Sequence, residues 1–402
     1  MHNRPPLPCR LAPPWRLLAL ALALAAAGVG NAQAAASIQG IGLMSGGSST
    51  SVTGLSGLSG DGSVVLAKGN SASSGTQTLG LTWTASGGLV DLGLPALGSS
   101  SITPTAASTN GSTIVGYRSE DGGSTSTPFV WSSGSFSTLS GLGGSTAAAY
   151  AVSGDGAVIL GSARNAANQW EAVRWVGGST TDLGFVNGGT LSHGYGLNSD
   201  GSVAVGHALD GAASRYAPLV WTTGGATALT DVRGSFSWAN AISTDGSTIV
   251  GTTGGAGGGR VAAYWDRATG SLHDLGDLPG GSVAGAGWDV SGDGSVMVGR
   301  GHSGAGYQPF IWTATLGMRE LSDYLTNDQA MNLTGWVLSE VVAVSDDGNT
   351  LVGNGSYQGT QQSWVVTLNA APVPEPESYA MLLAGLGVLG AVARRRRGQA
   401  AA

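Results

Sequence analysis

A four-residue motif recurs seven times along this chain and constrains its fold more than any other feature. The motif is Ser-x-Asp-Gly (with Asn once in place of Asp), followed by a β-branched run, and its fourth copy has Asn198 in place of the serine. Its third position is occupied by Asp61, Asn110, Asp155, Asp200, Asp245, Asp293 and Asp347. Successive copies are 49, 45, 45, 45, 48 and 54 residues apart. Such a regular interval indicates repeated structural units, either stacked in line or arranged around an axis.

Each unit is predicted to contain four short β-strands. In the third unit, one strand ends at Ser153, and Asp155-Gly156 turns the chain into a second strand over 157–161. Asp-Gly favours such a hairpin because glycine adopts positive φ at no steric cost. A third strand over 171–176 and a fourth over 180–183 complete the unit.

A tryptophan at a constant place supports the four-strand pattern. It lies 19 to 22 residues after the third motif position in six units, as Trp83, Trp131, Trp175, Trp221, Trp265 and Trp312. Units of about 45 residues with four strands are typical of propeller blades. We therefore predict an all-β, seven-bladed β-propeller-like fold, with a linear β-solenoid as the alternative.

The last unit lacks a fourth strand after Trp364. Residues 40–44, which precede the first motif, have the sequence character of such a strand. We predict that this N-terminal strand completes the last blade and so removes an exposed sheet edge. One helix is expected in the repeat region, over 318–331, where Leu321 and Leu325 are spaced to share one face.

The first 34 residues have the features of a signal peptide. Arg4, Arg10 and Arg16 flank the start of an apolar run over 17–28, and Ala32-Gln33-Ala34 has the small-x-small pattern that signal peptidase recognises. We predict cleavage after Ala34. An uncleaved membrane anchor is the alternative, but the apolar run is shorter than the ~20 residues of a typical span.

The C-terminal residues 373–402 have three parts in a fixed order. Val373, Pro374, Glu375 and Pro376 come first, an apolar run over 379–393 follows, and then come Arg394, Arg395, Arg396 and Arg397. Arginines resist translocation, so we expect them to stay cytoplasmic while the repeat region over 35–372 lies outside the inner membrane. The apolar run predicts a transmembrane sorting helix. A plain anchor with a chance Pro-Glu-Pro is the alternative.

This three-part tail resembles the PEP-CTERM sorting signal. The resemblance implies an exosortase, a membrane-embedded sortase-like cysteine transpeptidase, as a partner besides signal peptidase. It also implies a Gram-negative host that makes exopolysaccharide. On this basis we expect a transient inner-membrane anchor through the C-terminal helix, followed by transfer to the cell surface or extracellular matrix.

The repeats resemble those of the extracellular HAF-repeat family. The matching segments are the Ser-x-Asp-Gly motif, Pro128-Phe129-Val130-Trp131, Pro309-Phe310-Ile311-Trp312 and the Asp-Leu-Gly segments that end at Gly93, Gly184 and Gly276. His-Ala-Phe itself is absent from the sequence, so the similarity is one of pattern. It implies an extracellular location and a repeat fold, and it assigns no activity.

Charge and composition argue against several functions. Without both ends, the repeat region carries ten basic and 22 acidic side chains, a net charge near −12, which disfavours nucleic acid as a partner. The one cysteine, Cys9, lies in the predicted signal peptide, so no disulfide, thiol nucleophile or cysteine metal site is expected. The four histidines of the repeat region lack metal-ligand spacing. We predict no catalytic residue, no metal and no cofactor.

Two sets of repeated residues are candidate ligand contacts. The motif aspartates suggest calcium, but turn geometry alone explains Asp-Gly and EF-hand spacing is absent, so a role in turns is favoured. Tyr150, Tyr195 and Trp288 each lie five residues before the third motif position of their units. A radial arrangement would place them on one face as sugar-stacking platforms. Packing between blades is the favoured alternative.

The sequence therefore predicts an exported surface or matrix protein with a structural or interaction role. A glycan-binding module that acts with exopolysaccharide is the alternative. A hydrolase is less favoured, because no G-x-S-x-G elbow opens a predicted helix and the acidic residues are spread along the chain, whereas glycosidases need two close carboxylates.

Overall fold

The computed structural model describes residues 36–53, 56–74, 77–93, 101–120, 124–229, 233–255 and 258–368. The repeat region clusters as one unit over Ala36–Leu368. Both predicted end segments, with the cleavage position Ala34 and the tail over 373–402, lie outside the described residues.

The described residues form seven groups of four antiparallel strands, which we number as sheets 1 to 7 in the order of their motifs. Sheet 1 contains β2 (Thr50–Val52), β3 (Val65–Gly69), β4 (Leu79–Thr84) and β5 (Gly88–Asp91). Sheet 2 contains β6 (Ser101–Ala107), β7 (Thr113–Glu120), β8 (Thr125–Ser132) and β9 (Ser135–Thr138). Sheet 3 contains β10 (Gly143–Val152), β11 (Val158–Asn165), β12 (Trp170–Val176) and β13 (Ser179–Asp182). One parallel pair between Ser126 and Thr146 joins sheets 2 and 3.

The other four sheets repeat the same order. Sheet 4 contains β14 (Ser192–Leu197), β15 (Ala204–Asp210), β16 (Arg215–Thr222) and β17 (Gly225–Ala228). Sheet 5 contains β18 (Trp238–Ile242), β19 (Thr248–Gly254), β20 (Arg260–Asp266) and β21 (Leu272–Asp274). Sheet 6 contains β22 (Gly285–Val290), β23 (Val296–Ser303), β24 (Gly306–Thr313) and β25 (Gly317–Glu320). Sheet 7 contains β26 (Trp336–Val344), β27 (Thr350–Tyr357), β28 (Thr360–Thr367) and, from the N-terminal side, β1 (Ser37–Gly40).

Strand β1 confirms the predicted pairing of the N-terminal segment with the last unit. Ile38 lies opposite Val366 and Gly40 opposite Trp364, and the backbone N–H of Ile41 donates to the carbonyl of Ser363. The strand covers residues 37–40, three residues earlier than predicted. As the outermost strand of sheet 7, it pairs with β28 and covers an edge that would otherwise be open.

The sheets close into a ring. Each sheet packs on the next one, and β2 of sheet 1 packs on β27 and β28 of sheet 7. The seven motifs are linked around the axis by seven backbone hydrogen bonds of 2.8 to 3.2 Å. In this series the motif of each sheet donates to the second motif residue of the next sheet, and the N–H of Asp346 donates to the carbonyl of Gly60. This closed arrangement contradicts the linear solenoid.

The motif turn is built by its serine, aspartate and glycine together. In the third unit, the Gly156 N–H donates to the Ser153 carbonyl at 2.9 Å, which closes a four-residue turn. The buried Ser153 hydroxyl accepts from the Val158 N–H at 2.9 Å and donates to Asp155 at 2.6 Å. Positive φ is found at the glycine (78°) and not at the aspartate. Asp155-Gly156 therefore turns β10 into β11 as the predicted hairpin, but the glycine is the last residue of the four-residue turn and the aspartate does not share its positive φ.

The core is divided among the seven contacts between neighbouring sheets. Each contact contains one hydrophobic cluster, and each cluster includes the tryptophan from the third strand of one sheet. These are Trp83, Trp131, Trp175, Trp221, Trp265, Trp312 and Trp364. The repeated tryptophan thus packs sheet against sheet, which explains its constant place in the sequence.

The predicted helix is shorter than expected. Helix α1 covers Leu321–Asn327, because 317–320 continue sheet 6 as β25 and 328–331 are not helical. Leu321 and Leu325 are fully buried in the cluster between sheets 6 and 7. The helix therefore has the packing role that the spacing of its leucines indicated.

Candidate functional site

A β-bulge occurs at the same place in the first strand of six sheets. The ladder skips one residue there in β6, β10, β14, β18, β22 and β26. The bulged residues are Thr105, Tyr150, Tyr195, Asn240, Trp288 and Val342. A bulge leaves one residue outside the ladder and re-aims its side chain. The bulges therefore turn one side chain per sheet away from the regular pleat, around a common axis.

Five of these six residues line one cavity at the axis. Its volume is about 560 Å³, and its walls come from sheets 1, 2, 3, 4, 5 and 7. Thr105 and Asn240 use their polar groups to join neighbouring sheets, donating to the carbonyls of Ala149 and Gly287 at 2.8 Å. Tyr150 and Tyr195 remain half-buried and present their rings. We name this space the axial cavity.

One wall of the axial cavity is a continuous row of aromatic rings from four sheets. Ring centres are 6.5 Å apart for Tyr117 and Tyr150, and 5.6 Å apart for Tyr150 and Tyr195. His207 lies 5.4 Å from Tyr195 and 5.7 Å from Trp238. All five line the cavity. We name them the aromatic wall.

Burial keeps Tyr150, Tyr195 and His207 of the aromatic wall uncharged at neutral pH. Burial raises the pKa of Tyr150 to about 12 and also raises that of Tyr195. Burial, with a smaller effect of His193, lowers the pKa of His207 to about 3. The wall therefore presents neutral ring faces to whatever occupies the cavity.

Two hydrogen-bonding atoms of the aromatic wall are buried without a partner among the described residues. They are Nδ1 of His207 and Nε1 of Trp238. His207 is only 7% exposed. A buried polar atom without a partner costs free energy, and burial keeps both atoms away from the surface of the cavity.

The opposite wall of the axial cavity is polar. Lys68, Glu340 and Asn354 lie there, from sheets 1 and 7. Asn354 donates to Glu340 at 3.0 Å and accepts from the Val52 N–H at 2.8 Å, so its amide is fixed in place. A cavity with neutral rings on one side and fixed polar groups on the other suits a ligand that has apolar faces and polar edges.

Trp288 lies in a second cavity, of about 540 Å³, between sheets 5 and 6. This space, which we name the side cavity, shares Trp238 and Asn240 with the axial cavity. Its lining includes Arg260 and Arg300. The structure therefore brings Tyr150 and Tyr195 together and places Trp288 in an adjoining space.

The axis narrows at the motif end to a space of about 100 Å³. Asp289 is buried there and accepts from the Val344 N–H at 2.9 Å. The equivalent positions of the other six units are Gly57, Ala106, Ala151, Gly196, Ala241 and Ala343. Burial raises the pKa of Asp289 to about 8. This carboxyl is therefore largely neutral at pH 7, in a space too small for a sugar.

The six motif aspartates and Asn110 are placed in the seven turns, where their side-chain oxygens accept hydrogen bonds from their own turns. Asp155 Oδ1 accepts from the Ala157 N–H at 2.9 Å, and the hydrogen bond from Ser153 lowers the pKa of Asp155. Within the described residues, no group of three or more His, Cys, Asp or Glu side chains is arranged to hold a metal ion. Among those same residues, no helix has the length and apolar character needed to cross a membrane.

Sequence reasoning missed most of the aromatic and polar walls. His193 and His207 lie directly opposite each other on β14 and β15, with ring centres 5.3 Å apart. Counting residues outward from the motif turn along β14 and β15 could have predicted that these two histidines lie opposite each other. No local pattern marks Trp238, Lys68, Glu340 or Asn354, because the closed ring brings them together from distant sheets.

A comparison with family models matches residues 372–397 to the PEP-CTERM protein-sorting motif. The match covers the predicted tail from Pro372 to Arg397 and implies export and exosortase-dependent sorting to the surface. The curated protein sequences contain no match to this chain.

Solved structures share the propeller-like fold at low sequence identity. A prolyl endopeptidase matches with a TM-score of 0.55 and 14% identity, over 81% of this chain and 51% of the endopeptidase chain. The β-propeller domain of the Trilobed protease from Pyrococcus furiosus matches with a TM-score of 0.50 and 10% identity, over 78% of this chain and 95% of that domain. TolB from Acinetobacter baumannii matches with a TM-score of 0.45 and 16% identity, over 65% of this chain and 63% of the TolB chain. The chain thus spans about half of that endopeptidase and less than two thirds of that TolB. The likenesses to the endopeptidase and to the Trilobed protease concern the fold alone.

Proposed function

We propose that this protein is a seven-bladed propeller, exported by a Gram-negative bacterium, that binds a glycan in its axial cavity after exosortase sorting. Glycan binding is the specific form of the surface interaction role that the sequence predicts. The aromatic wall is the observation that carries this proposal. It places five neutral rings from four sheets along one side of a 560 Å³ space.

The chemistry of the two walls supports a sugar ligand. A pyranose ring has C–H faces that stack on aromatic rings and hydroxyl edges that hydrogen-bond. Asn354 and Glu340 supply fixed polar partners on one side, and the aromatic wall supplies ring faces on the other. Ligand sites commonly combine apolar walls with a few convergent polar groups in this way.

The proposed role is binding without catalysis. The lining of the axial cavity contains one carboxylate, that of Glu340. Glycoside hydrolysis uses two carboxyl groups about 5 to 9 Å apart. The buried Asp289 lies in the narrow part of the axis and lines a different space.

The sorting motif supports the location. A surface or matrix position places the axial cavity beside the exopolysaccharide that a PEP-CTERM host is expected to make. The resemblance of the repeats to the HAF family is consistent with the same extracellular location. We further propose that the apolar run over 379–393 holds the protein in the inner membrane until the tail is processed.

Affinity electrophoresis in gels that contain the host exopolysaccharide tests the binding. We expect the wild-type chain to be retarded, and Tyr195→Ala to migrate as it does in a gel without polysaccharide. Tyr264→Ala is the matched control, because Tyr264 is a half-buried tyrosine of sheet 5 that lines neither cavity. Equal retardation of all three proteins would place the binding outside the axial cavity.

Mass spectrometry of the exported protein tests the sorting separately. We expect the tail to be cut close to Pro374-Glu375-Pro376 and residues 379–402 to be missing from the surface fraction. A surface protein that still carries Arg394 to Arg397 would contradict processing by an exosortase.

A further inference from the structure

We propose that the side cavity binds the carboxylate of an acidic sugar unit, so that the ligand is an acidic polysaccharide. This inference rests on the proposed glycan function and names its substrate class. The side cavity lies between sheets 5 and 6 and adjoins the axial cavity through Trp238 and Asn240.

Two arginines and four aromatic rings define the chemistry of this region. The Arg300 guanidinium lies 5.5 Å from the ring centre of Trp288 and 4.9 Å from that of Tyr307. The Arg260 guanidinium lies 4.5 Å from the ring centre of Trp238 and 5.1 Å from that of Phe236. Stacking on rings orients a planar guanidinium and leaves its N–H edge free to bind an anion.

The positive charge of the side cavity is uncompensated within the described residues. Its lining contains no aspartate or glutamate. The salt bridges of the described residues involve Arg118, Arg233 and Arg319, and neither Arg260 nor Arg300. Two unpaired cations in one cavity of a chain with a net charge of −7 form a local anion site.

The shape of the site favours a sugar acid over a free anion. Trp288 and Tyr307 lie beside Arg300 and provide aromatic rings at the place where the guanidinium would bind the anion. A carboxylate accepts two parallel hydrogen bonds from one guanidinium, while the pyranose ring that carries it stacks on an aromatic face. Because the two cavities adjoin, a chain of sugar units extends from the aromatic wall to the two arginines.

Isothermal titration calorimetry of the full chain with trigalacturonic acid and with its methyl ester tests this. The ester keeps the sugar rings and removes the charge. We expect the acid to bind about tenfold more tightly than the ester, since charge-assisted hydrogen bonds are roughly twice as strong as neutral ones. We expect Arg300→Gln and Arg260→Gln each to remove most of this preference, and 500 mM salt to weaken the binding of the acid several-fold.

Arg164→Gln is the matched control. Arg164 also stacks on a tryptophan, 4.9 Å from the ring centre of Trp170, but it lines neither cavity. The control should keep the full preference for the acid, and all variants should keep the wild-type melting temperature. Equal binding of acid and ester that Tyr195→Ala abolishes would overturn the acidic ligand and leave the axial site standing. The acidic ligand would also be overturned if neither trimer bound, or if Arg164→Gln lost as much of the preference for the acid as the other two variants. Retardation by exopolysaccharide in the gel tests the proposed glycan function independently.

Discussion

The backbone N–H of Asp346 in sheet 7 donates a 2.8 Å hydrogen bond to the carbonyl oxygen of Gly60 in sheet 1. This bond joins the last motif to the first and completes the series of seven around the axis. The motif turns therefore do more than connect strands, because together they hold the narrow end of the ring. The wider part of the axis contains the axial cavity and its aromatic wall.

The N-terminal segment should contribute strongly to stability. Ile41 follows β1 and is buried in the cluster between sheets 7 and 1, whereas Leu43, two residues later, is 37% exposed. We expect Ile41→Ala to lower the free energy of unfolding by roughly 2–4 kcal/mol, because it leaves a cavity in a packed cluster. Leu43→Ala should cost less than about 1 kcal/mol. Urea titration followed by tryptophan fluorescence measures both, and equal small effects would contradict closure by the N-terminal strand.

The hydroxyl of the motif serine should contribute to the stability of the fold. Ser153→Ala leaves the Val158 N–H buried without its acceptor, which costs about 1–3 kcal/mol. Ser112 is exposed and is the control, since its hydroxyl makes no hydrogen bond among the described residues. The melting temperatures of Ser153→Ala and Ser112→Ala should therefore differ by several degrees. Identical melting temperatures would show that the hydrogen bonds of the Ser153 hydroxyl do not stabilise the fold.

Two glycines of the third unit separate backbone strain from steric contact. Gly156 and Gly178 have φ of 78° and 82°. A Cβ at Gly156 would lie 2.5 Å from Oγ1 of Thr113 in the neighbouring sheet, whereas a Cβ at Gly178 would meet nothing within 4 Å. We expect Gly178→Ala to cost about 1 kcal/mol and Gly156→Ala to cost at least twice as much. Chemical denaturation of the two variants gives this comparison, and equal costs would mean that the motif turn does not pack on the sheet before it.

The buried carboxyl of Asp289 should make stability depend on pH. Its pKa is about 8 in the folded protein and 3.8 when unperturbed. Between these values the unfolded chain releases the proton while the folded chain keeps it. The free energy of unfolding therefore decreases as the pH rises from about 4 to 8, by about 1.4 kcal/mol for each pH unit in this window.

Asp289→Asn tests this effect because asparagine has no proton to lose and can still accept from the Val344 N–H. The variant should be more stable than the wild type at pH 8, and the difference should shrink towards pH 4. Melting temperatures at half-unit steps of pH measure it. A difference that does not change with pH would show that Asp289 is not protonated in the folded protein.

The sequence predicts the repeat far better than it predicts the site. The spacing of the motifs and of Trp175 and its counterparts reports local geometry that every unit must satisfy, so the four-strand units and the pairing of β1 could be inferred. The candidate positions Tyr150 and Tyr195 followed from the same periodicity. Their partners Lys68 and Glu340 could not be inferred, because closure of the ring brings residues from opposite ends of the chain together.

Trp288 shows a second limit of reasoning from periodicity. Equivalent position in the repeat predicts the same face, and β22 has its bulge at the same position as the other sheets. The neighbouring side chains differ, however, and Arg300 stacks beside it. The outcome is an adjoining cavity with a different charge, which the repeat alone does not specify.

A crystal structure of the protein with a bound acidic oligosaccharide tests the central claim most directly. We predict difference density for a sugar ring against Tyr150, Tyr195 and Trp238 in the axial cavity, with the chain continuing towards Arg260 and Arg300. Density for the sugar elsewhere on the surface, with both cavities empty at saturating concentration, would contradict the account.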